Sequence, residues 1–204
     1  MISEVFEPDQ LDALQEIVNV GMGTAGAALA AVLESFVSLS VPKIELVRLE
    51  RLADLPTLVG WDNDEACAIR QAFYDRLDGE VIVLFGQQGR ELLAERLGYG
   101  TGHTDVVDEE LLLDFTNVFV GACMNGIARQ LHINLSFSPP EILSLASPLS
   151  TTLPGLDLAV DFLLLINVNF VLQQCAFKSQ LLILLPEQSI VRLRDAIGRF
   201  VESL

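Results

Sequence analysis

DALQEIVNVGMG, running from Asp12 to Gly23, and ELLLDFTNVFVG, running from Glu110 to Gly121, lie 98 residues apart and share one pattern: acid, three residues, acid, two residues, Asn, three residues, Gly. Sliding the whole chain by the same 98 residues puts Asn19 on Asn117, Gly23 on Gly121, Leu29 on Ile127, Leu33 on Leu131, Ser38 on Ser136 and Pro42 on Pro140. At a shift of 100, Val81 to Phe85 falls on Leu181 to Leu185 and Gln88 on Gln188. Self-similarity over half the chain marks a duplicated structural unit.

Outward from the first copy, apolar or small residues recur at Leu11, Leu14, Val18, Gly21, Ala25, Leu29 and Val32. Steps of three and four predict one helix over about 11–33, with Pro8 and Asp9 suited to its start. Val37 to Val47 (VSLSVPKIELV) then alternates like a half-buried strand, and Pro42 within it implies an edge or a bulge. The stretch 56–65 reads as loop. Ala66 to Arg76 and Glu80 to Phe85 read as strands joined by an Asp78-Gly79 hairpin turn, and Gln88 to Leu97 as a short helix. Gly98 to Asp105 (GYGTGHTD) is the Gly-dense polar seam. Beyond it the order returns: a helix over about 107–131, an alternating stretch 133–137 before Pro139-Pro140, strands over 162–172 and 174–185, and a last helix over about 186–203. The expectation is a single α+β domain made of two α-β-β-β-α repeats, about 8–98 and 106–204. Two long helices then pack with an antiparallel sheet about a pseudo-twofold axis.

Of 204 residues, 51% are hydrophobic and 20% charged, which excludes disorder and low complexity. Twelve basic residues face 28 acidic ones, a net charge of −16, and only Lys43 and Lys178 are lysines. Nucleic acids and anionic membranes are bound by Lys and Arg, so a field of this sign argues against both as partners. Mean hydropathy is high, at +0.45. No uninterrupted apolar run reaches the roughly 20 residues of a spanning helix, and the acidic N-terminus lacks the pattern of a secretory signal. A cytoplasmic location is expected.

The polar face of each long helix carries the chemistry. With Leu14 at 0° and 100° per residue, Asp12, Glu16, Asn19 and Gly23 fall between about 140° and 200°, opposite Leu11, Val18, Gly21 and Ala25. In the second helix Glu110, Asp114, Asn117 and Gly121 share one face, away from Leu112, Phe115, Phe119 and Cys123. One such face is an ordinary solvated surface. Its duplication at equivalent positions, with an asparagine in a helix interior where its propensity is poor, points to a site. Gly21 to Gly26 (GMGTAG) matches GxGxxG but lies inside a helical stripe instead of opening a helix after a strand, so close helix packing explains its glycines. His103 and His132 have no metal-ligand spacing, and Cys67, Cys123 and Cys175 are widely spaced among apolar residues. No dedicated metal site or cofactor is expected, because an acid, acid, Asn triplet on one helix offers too few ligands.

These residues resemble the CheC/CheX/FliY phosphatases of bacterial chemotaxis. The family signature is Asp or Ser, three residues, Glu, two residues, Asn, then 22 residues and Pro. Asp12, Glu16, Asn19 and Pro42 match it fully, whereas Glu110, Asp114, Asn117 and Pro140 keep Asn and Pro but exchange the acids. GMGTAGAALA, VSLSVPKIELV and GEVIVLF also look like the family, and two half-sites in one chain are similar to CheC.

The resemblance implies a hydrolase of the aspartyl phosphate on a CheY-like receiver domain. Asn19 and Asn117 would position water, and Glu16 and Asp114 would pair with the receiver's lysine. Asp12 and Glu110 would have supporting roles, and Mg²⁺ would sit on the receiver. Asp114 is one methylene shorter than Glu, so the Glu16/Asn19 half-site is expected to be the more active. The resemblance also admits a non-catalytic receiver-binding or flagellar-switch adaptor, whose relatives share the fold without the Glu/Asn pairs. Some relatives have the deamidase CheD as a partner, on which these residues are silent.

Overall fold

The computed structural model describes residues 2, 5–32, 37–61, 65–86, 105–152, 162–172 and 178–202. The helix expected over 88–97, nearly all of the Gly-rich seam, His103 and Cys175 lie outside them. In chain order the elements are α1 (Pro8–Val32), β1 (Val37–Leu39), β2 (Lys43–Arg48), a 3-10 segment (Leu49–Asp54), α2 (Leu55–Val59), β3 (Glu65–Asp75), β4 (Gly79–Phe85), α3 (Asp105–Gln130), β5 (Leu135–Phe137), β6 (Glu141–Pro148), α4 (Leu149–Thr152), β7 (Phe162–Leu172), β8 (Lys178–Pro186) and α5 (Glu187–Glu202).

The fold is α+β, built on one eight-stranded antiparallel sheet. Strand order is β1-β7-β8-β4-β3-β5, with β2 also on β7 and β6 also on β3. Exchanging β1 with β5, β2 with β6, β3 with β7 and β4 with β8 returns the same order reversed. The pseudo-twofold axis therefore passes between β4 and β8, which pair through Glu80↔Leu184 to Phe85↔Ser179.

Each repeat has four strands where the periodicity predicts three: in the first the 37–47 segment is two strands, and in the second β6 (Glu141–Pro148) follows the expected 133–137 stretch in a segment given no element by the sequence pattern. Pro42 lacks an N–H and restricts the backbone of Val41, so the ladder cannot run through them. Both pieces still pair with β7. Leu39 lies opposite Phe170 and Lys43 opposite Asn167, so three residues between them face two on the partner. This is a bulge at the sheet edge, bridged by Ser40, whose N–H donates to the Asn169 carbonyl at 3.0 Å while its Oγ accepts from the Asn169 N–H at 3.0 Å. The second repeat breaks in the same place: Ser138 N–H donates to the Ala72 carbonyl, and the Ala72 N–H donates to Ser138 Oγ. The stretch expected as loop around 56–65 begins with α2, in which Leu55 and Val59 are buried and Gly60, with φ of 65°, ends the turn.

The sheet is buried on both faces, which explains the unbroken apolar runs of β4 and β8. One face, with Ile69, Phe73, Val83, Leu164, Ile166 and Ile183, packs under α1, α3 and α5. The other, with Ile82, Leu84, Leu165 and Leu182, is covered by Leu55, Val59, Trp61 and Leu149. α3 is long and apolar enough to cross a membrane, but 61% of its most apolar window is buried inside this fold. It ends in a Schellman turn: His132 takes φ of 53°, its N–H donates to the Arg129 carbonyl, and the Ile133 N–H donates to the Ala128 carbonyl. His132 thus has a structural role as a helix stop.

Candidate functional site

The rotation of each long helix on the sheet is fixed by its apolar side. On α1, Leu14, Ile17, Val18, Met22, Ala25 and Leu29 are buried. On α3, Phe119 meets the Phe170 ring edge-to-face at 4.5 Å, and Phe115 meets Phe85 in the same manner at 6.0 Å. With those faces committed, Asp12, Glu16, Asn19 and Gly23 of α1 are exposed, as are Glu110, Asp114 and Asn117 of α3. Every residue singled out in the two copies therefore faces solvent, except that Gly121 is partly covered.

The glycines divide into two kinds. Gly21 is buried where α1 meets α3, and a Cβ on it would lie 2.7 Å from the Ile127 nitrogen. Gly26 lies under Leu39. Close packing thus accounts for two of the three glycines of the GxGxxG match. Gly23 and Gly121 have nothing within 4 Å of an added Cβ, so no packing inside the chain requires them. Each lies one turn beyond an asparagine, leaving bare backbone on the exposed face. Two exposed valines adjoin the asparagines, Val20 at 39% and Val118 at 55% relative exposure, again 98 residues apart.

The two half-sites stay separate. Gly21, two residues from Asn19, touches Gly126 at the helix crossing, whereas Asn117 lies nine residues before Gly126, about 13.5 Å along the helix at 1.5 Å per residue. Among the described residues neither Glu16 nor Asp114 forms an ion pair, so both carboxylates are open to an external cation. Within a turn of each is a carboxamide that can donate to and accept from a water or an anion.

The carboxamides differ in their surroundings. Gln71 of β3, buried at 1% exposure, donates from Nε2 to Asn117 Oδ1 at 2.8 Å and to the Ser138 carbonyl at 2.8 Å. Asn19 has no side-chain hydrogen bond among the described residues. Sequence periodicity overlooked Gln71, although its signal was present: it is a polar residue in the row Cys67, Ile69, Gln71, Phe73 that faces the helices.

Elsewhere, no group of three or more His, Cys, Asp or Glu converges among the described residues. Cys67 and Cys123 are buried, and burial pushes the Cys123 thiol far above its ordinary value. On the sheet face away from the long helices, Arg70 bonds Glu141 at 2.6 Å and lies 3.6 Å from Glu80. The Glu141 hydrogen bond holds the Arg70 guanidinium above its usual range, while burial raises the Glu80 carboxyl despite the pull of Arg70.

The structure superposes on Thermotoga maritima FliY with a TM-score of 0.73, covering 96% of this chain and 98% of that one at 15% identity. The chain has the CheC/CheX/FliY fold. CheX from Desulfovibrio desulfuricans matches at a TM-score of 0.55 and 10% identity, covering 82% of this chain and 99% of that one. The same fold is found in the FliM middle domain of Helicobacter pylori, which matches at 0.61 and 10% identity, over 93% of this chain and 99% of that chain. No family model matches the sequence. The CheC/CheX/FliY fold thus extends over nearly all of this chain, both long helices included.

Proposed function

We propose that this protein is a phosphatase that hydrolyses the aspartyl phosphate of a CheY-like receiver domain, ending a chemotaxis or two-component signal. The observation that carries the reading is the duplicated, solvent-facing pair of carboxylate and carboxamide, Glu16/Asn19 and Asp114/Asn117, on helices otherwise committed to the core. An acyl phosphate is already activated. Its hydrolysis needs a water held in line with phosphorus and screened charge, with no covalent intermediate.

In this reading Glu16 pairs with the lysine beside the receiver's phosphorylated aspartate and fixes the docked pose. Asn19 reaches in from the same helix face and orients the water, accepting from it through Oδ1. A carboxylate at that position would add repulsion toward the phosphoryl group. Asp12 and Glu110 support the two half-sites from the preceding turn, and Mg²⁺ is held by the receiver. Gly23 and Gly121 let the receiver backbone approach, and Val20 and Val118 supply apolar contact at the rim of each half-site.

The second reading, a non-catalytic receiver-binding or flagellar-switch adaptor, draws on the likeness to the FliM middle domain. Decay of a phosphorylated receiver separates the two. The phosphatase shortens the phosphoryl lifetime at substoichiometric protein, and an Asn19→Ala/Asn117→Ala double variant binds without doing so. An unaltered lifetime in the presence of demonstrated binding by the parent chain would establish the adaptor instead.

A further inference from the structure

The two repeats differ at one buried position that touches a proposed site. Gln71 on β3 pairs with Val81, and its counterpart Val168 on β7 pairs with Leu181. Both point into the core beneath the long helices. The second repeat satisfies this place with a valine, whereas the first sets a primary amide there. Burying an amide is costly unless its groups are bonded. Gln71 meets only part of that requirement, since its Oε1 has no partner. What its Nε2 does is therefore informative.

The Ser138 carbonyl can only accept, so the nitrogen end of the Gln71 amide must face it. The same nitrogen has a second hydrogen, directed at Asn117 across 2.8 Å, and a donor there requires the oxygen end of the Asn117 carboxamide. A backbone carbonyl at the Pro139-Pro140 corner thus fixes the orientation of a side chain on α3 through one buried glutamine. Oδ1 of Asn117 is turned to the sheet, leaving Nδ2 as its outward group. Asn19 has no such tether among the described residues and can present its oxygen outward.

We propose that Gln71 is a positioning residue that restrains the second half-site, holding Asn117 with its water-accepting oxygen turned inward, so that the Asn19 half-site performs most of the turnover. The inference rests on the phosphatase reading above. A partly buried neutral hydrogen bond contributes about 1 kcal/mol, so releasing it is worth about fivefold in the population of the outward rotamer.

The test uses the full chain with the first half-site disabled by Asn19→Ala. Gln71→Val, which copies the residue of the other repeat, is expected to raise phosphoryl decay through the remaining half-site about fivefold. In the reciprocal Asn117→Ala background the same substitution is expected to leave the rate unchanged, which a general loosening of the fold would not do. A second readout is independent of turnover. The side-chain amide NMR signals of Asn117 in the parent chain are expected to differ from those of Asn19 and to move toward them in Gln71→Val. Thermal unfolding confirms that each variant is folded. An unchanged or slower rate in the Asn19→Ala background, or Asn117 signals that do not respond, overturns the proposal while leaving the phosphatase reading intact. A parent chain that binds the receiver without turnover overturns both, a result seen before any variant is made.

Discussion

Gly21 and Gly126 meet backbone to backbone at the crossing of α1 and α3: a Cβ on Gly126 would lie 2.5 Å from the Gly21 carbonyl oxygen. Neither neighbour is a flexible side-chain end that could move aside. Gly21→Ala and Gly126→Ala are therefore expected to destabilise the fold by about 1–3 kcal/mol, the range for overpacked cores. Urea unfolding of each variant measures this, and wild-type stability in either would contradict the close approach.

Gly23→Ala and Gly121→Ala should behave in the opposite way. An added methyl meets nothing in the chain, and alanine gains up to about 1 kcal/mol over glycine in a helix interior. Both variants are expected to be as stable as the parent or more so, yet to bind a receiver more weakly, because the methyl would stand on the proposed docking face. Titration of the receiver against each folded variant checks the second half of the expectation; undiminished affinity would remove these glycines from the interface.

The half-sites are expected to be unequal. Asp114 is a methylene shorter than Glu16, and ångström-scale misplacement at a reacting centre costs up to about 100-fold. Gln71 also occupies the oxygen of Asn117. Asn19→Ala should therefore reduce receiver dephosphorylation by tenfold or more, on the order of the effect of misplacing a catalytic group, and Asn117→Ala by less. Equal losses, or a larger loss from Asn117→Ala, would refute the ranking.

Much of the fold was legible because the duplication states each element twice. The 98-residue offset aligns Pro42 with Pro140, and in the structure both prolines interrupt the ladder at the sheet edge. What periodicity could not show is that such a bulge makes two strands from one segment, since the alternation of side chains runs on across it. Nor could it foresee α2, a single turn whose burial of Leu55 and Val59 depends on the far face of the sheet. For the site, helical phase sufficed to put Asp12, Glu16 and Asn19 together on solvent, and Glu110, Asp114 and Asn117 likewise. The Gln71 contact joins residues 46 apart in sequence and belongs to tertiary packing. Only a polar residue in an inward-facing row hinted at it.

Cys67 and Cys123 are 3% and 0% exposed, and burial raises the Cys123 thiol so far that its reactive thiolate is suppressed. In a Cys175→Ser variant, which leaves these two cysteines alone, the native protein is expected to give no reaction with a chromogenic disulfide reagent at pH 8. Labelling should follow global unfolding in denaturant. Rapid native labelling would show that one of the two is reached without unfolding.

Glu80 makes stability depend on pH with a defined sign. Burial raises its carboxyl above the ordinary 4.5, Arg70 opposes that shift, and Glu141 adds to it. The folded state therefore binds this proton more tightly than the unfolded chain does. Linkage then requires stability to fall as pH rises from the ordinary value through the raised one, and to stay lower above it. At neutral pH the charged Glu80 is a net cost, while Arg70 keeps its 2.6 Å bond to Glu141. Glu80→Gln is expected to raise the melting temperature at pH 7.5, and the gain should shrink as pH falls through the raised carboxyl range toward the ordinary one. Thermal unfolding of parent and variant across that range decides the matter. A variant less stable at pH 7.5, or a difference independent of pH, would mean that the Arg70 attraction outweighs burial.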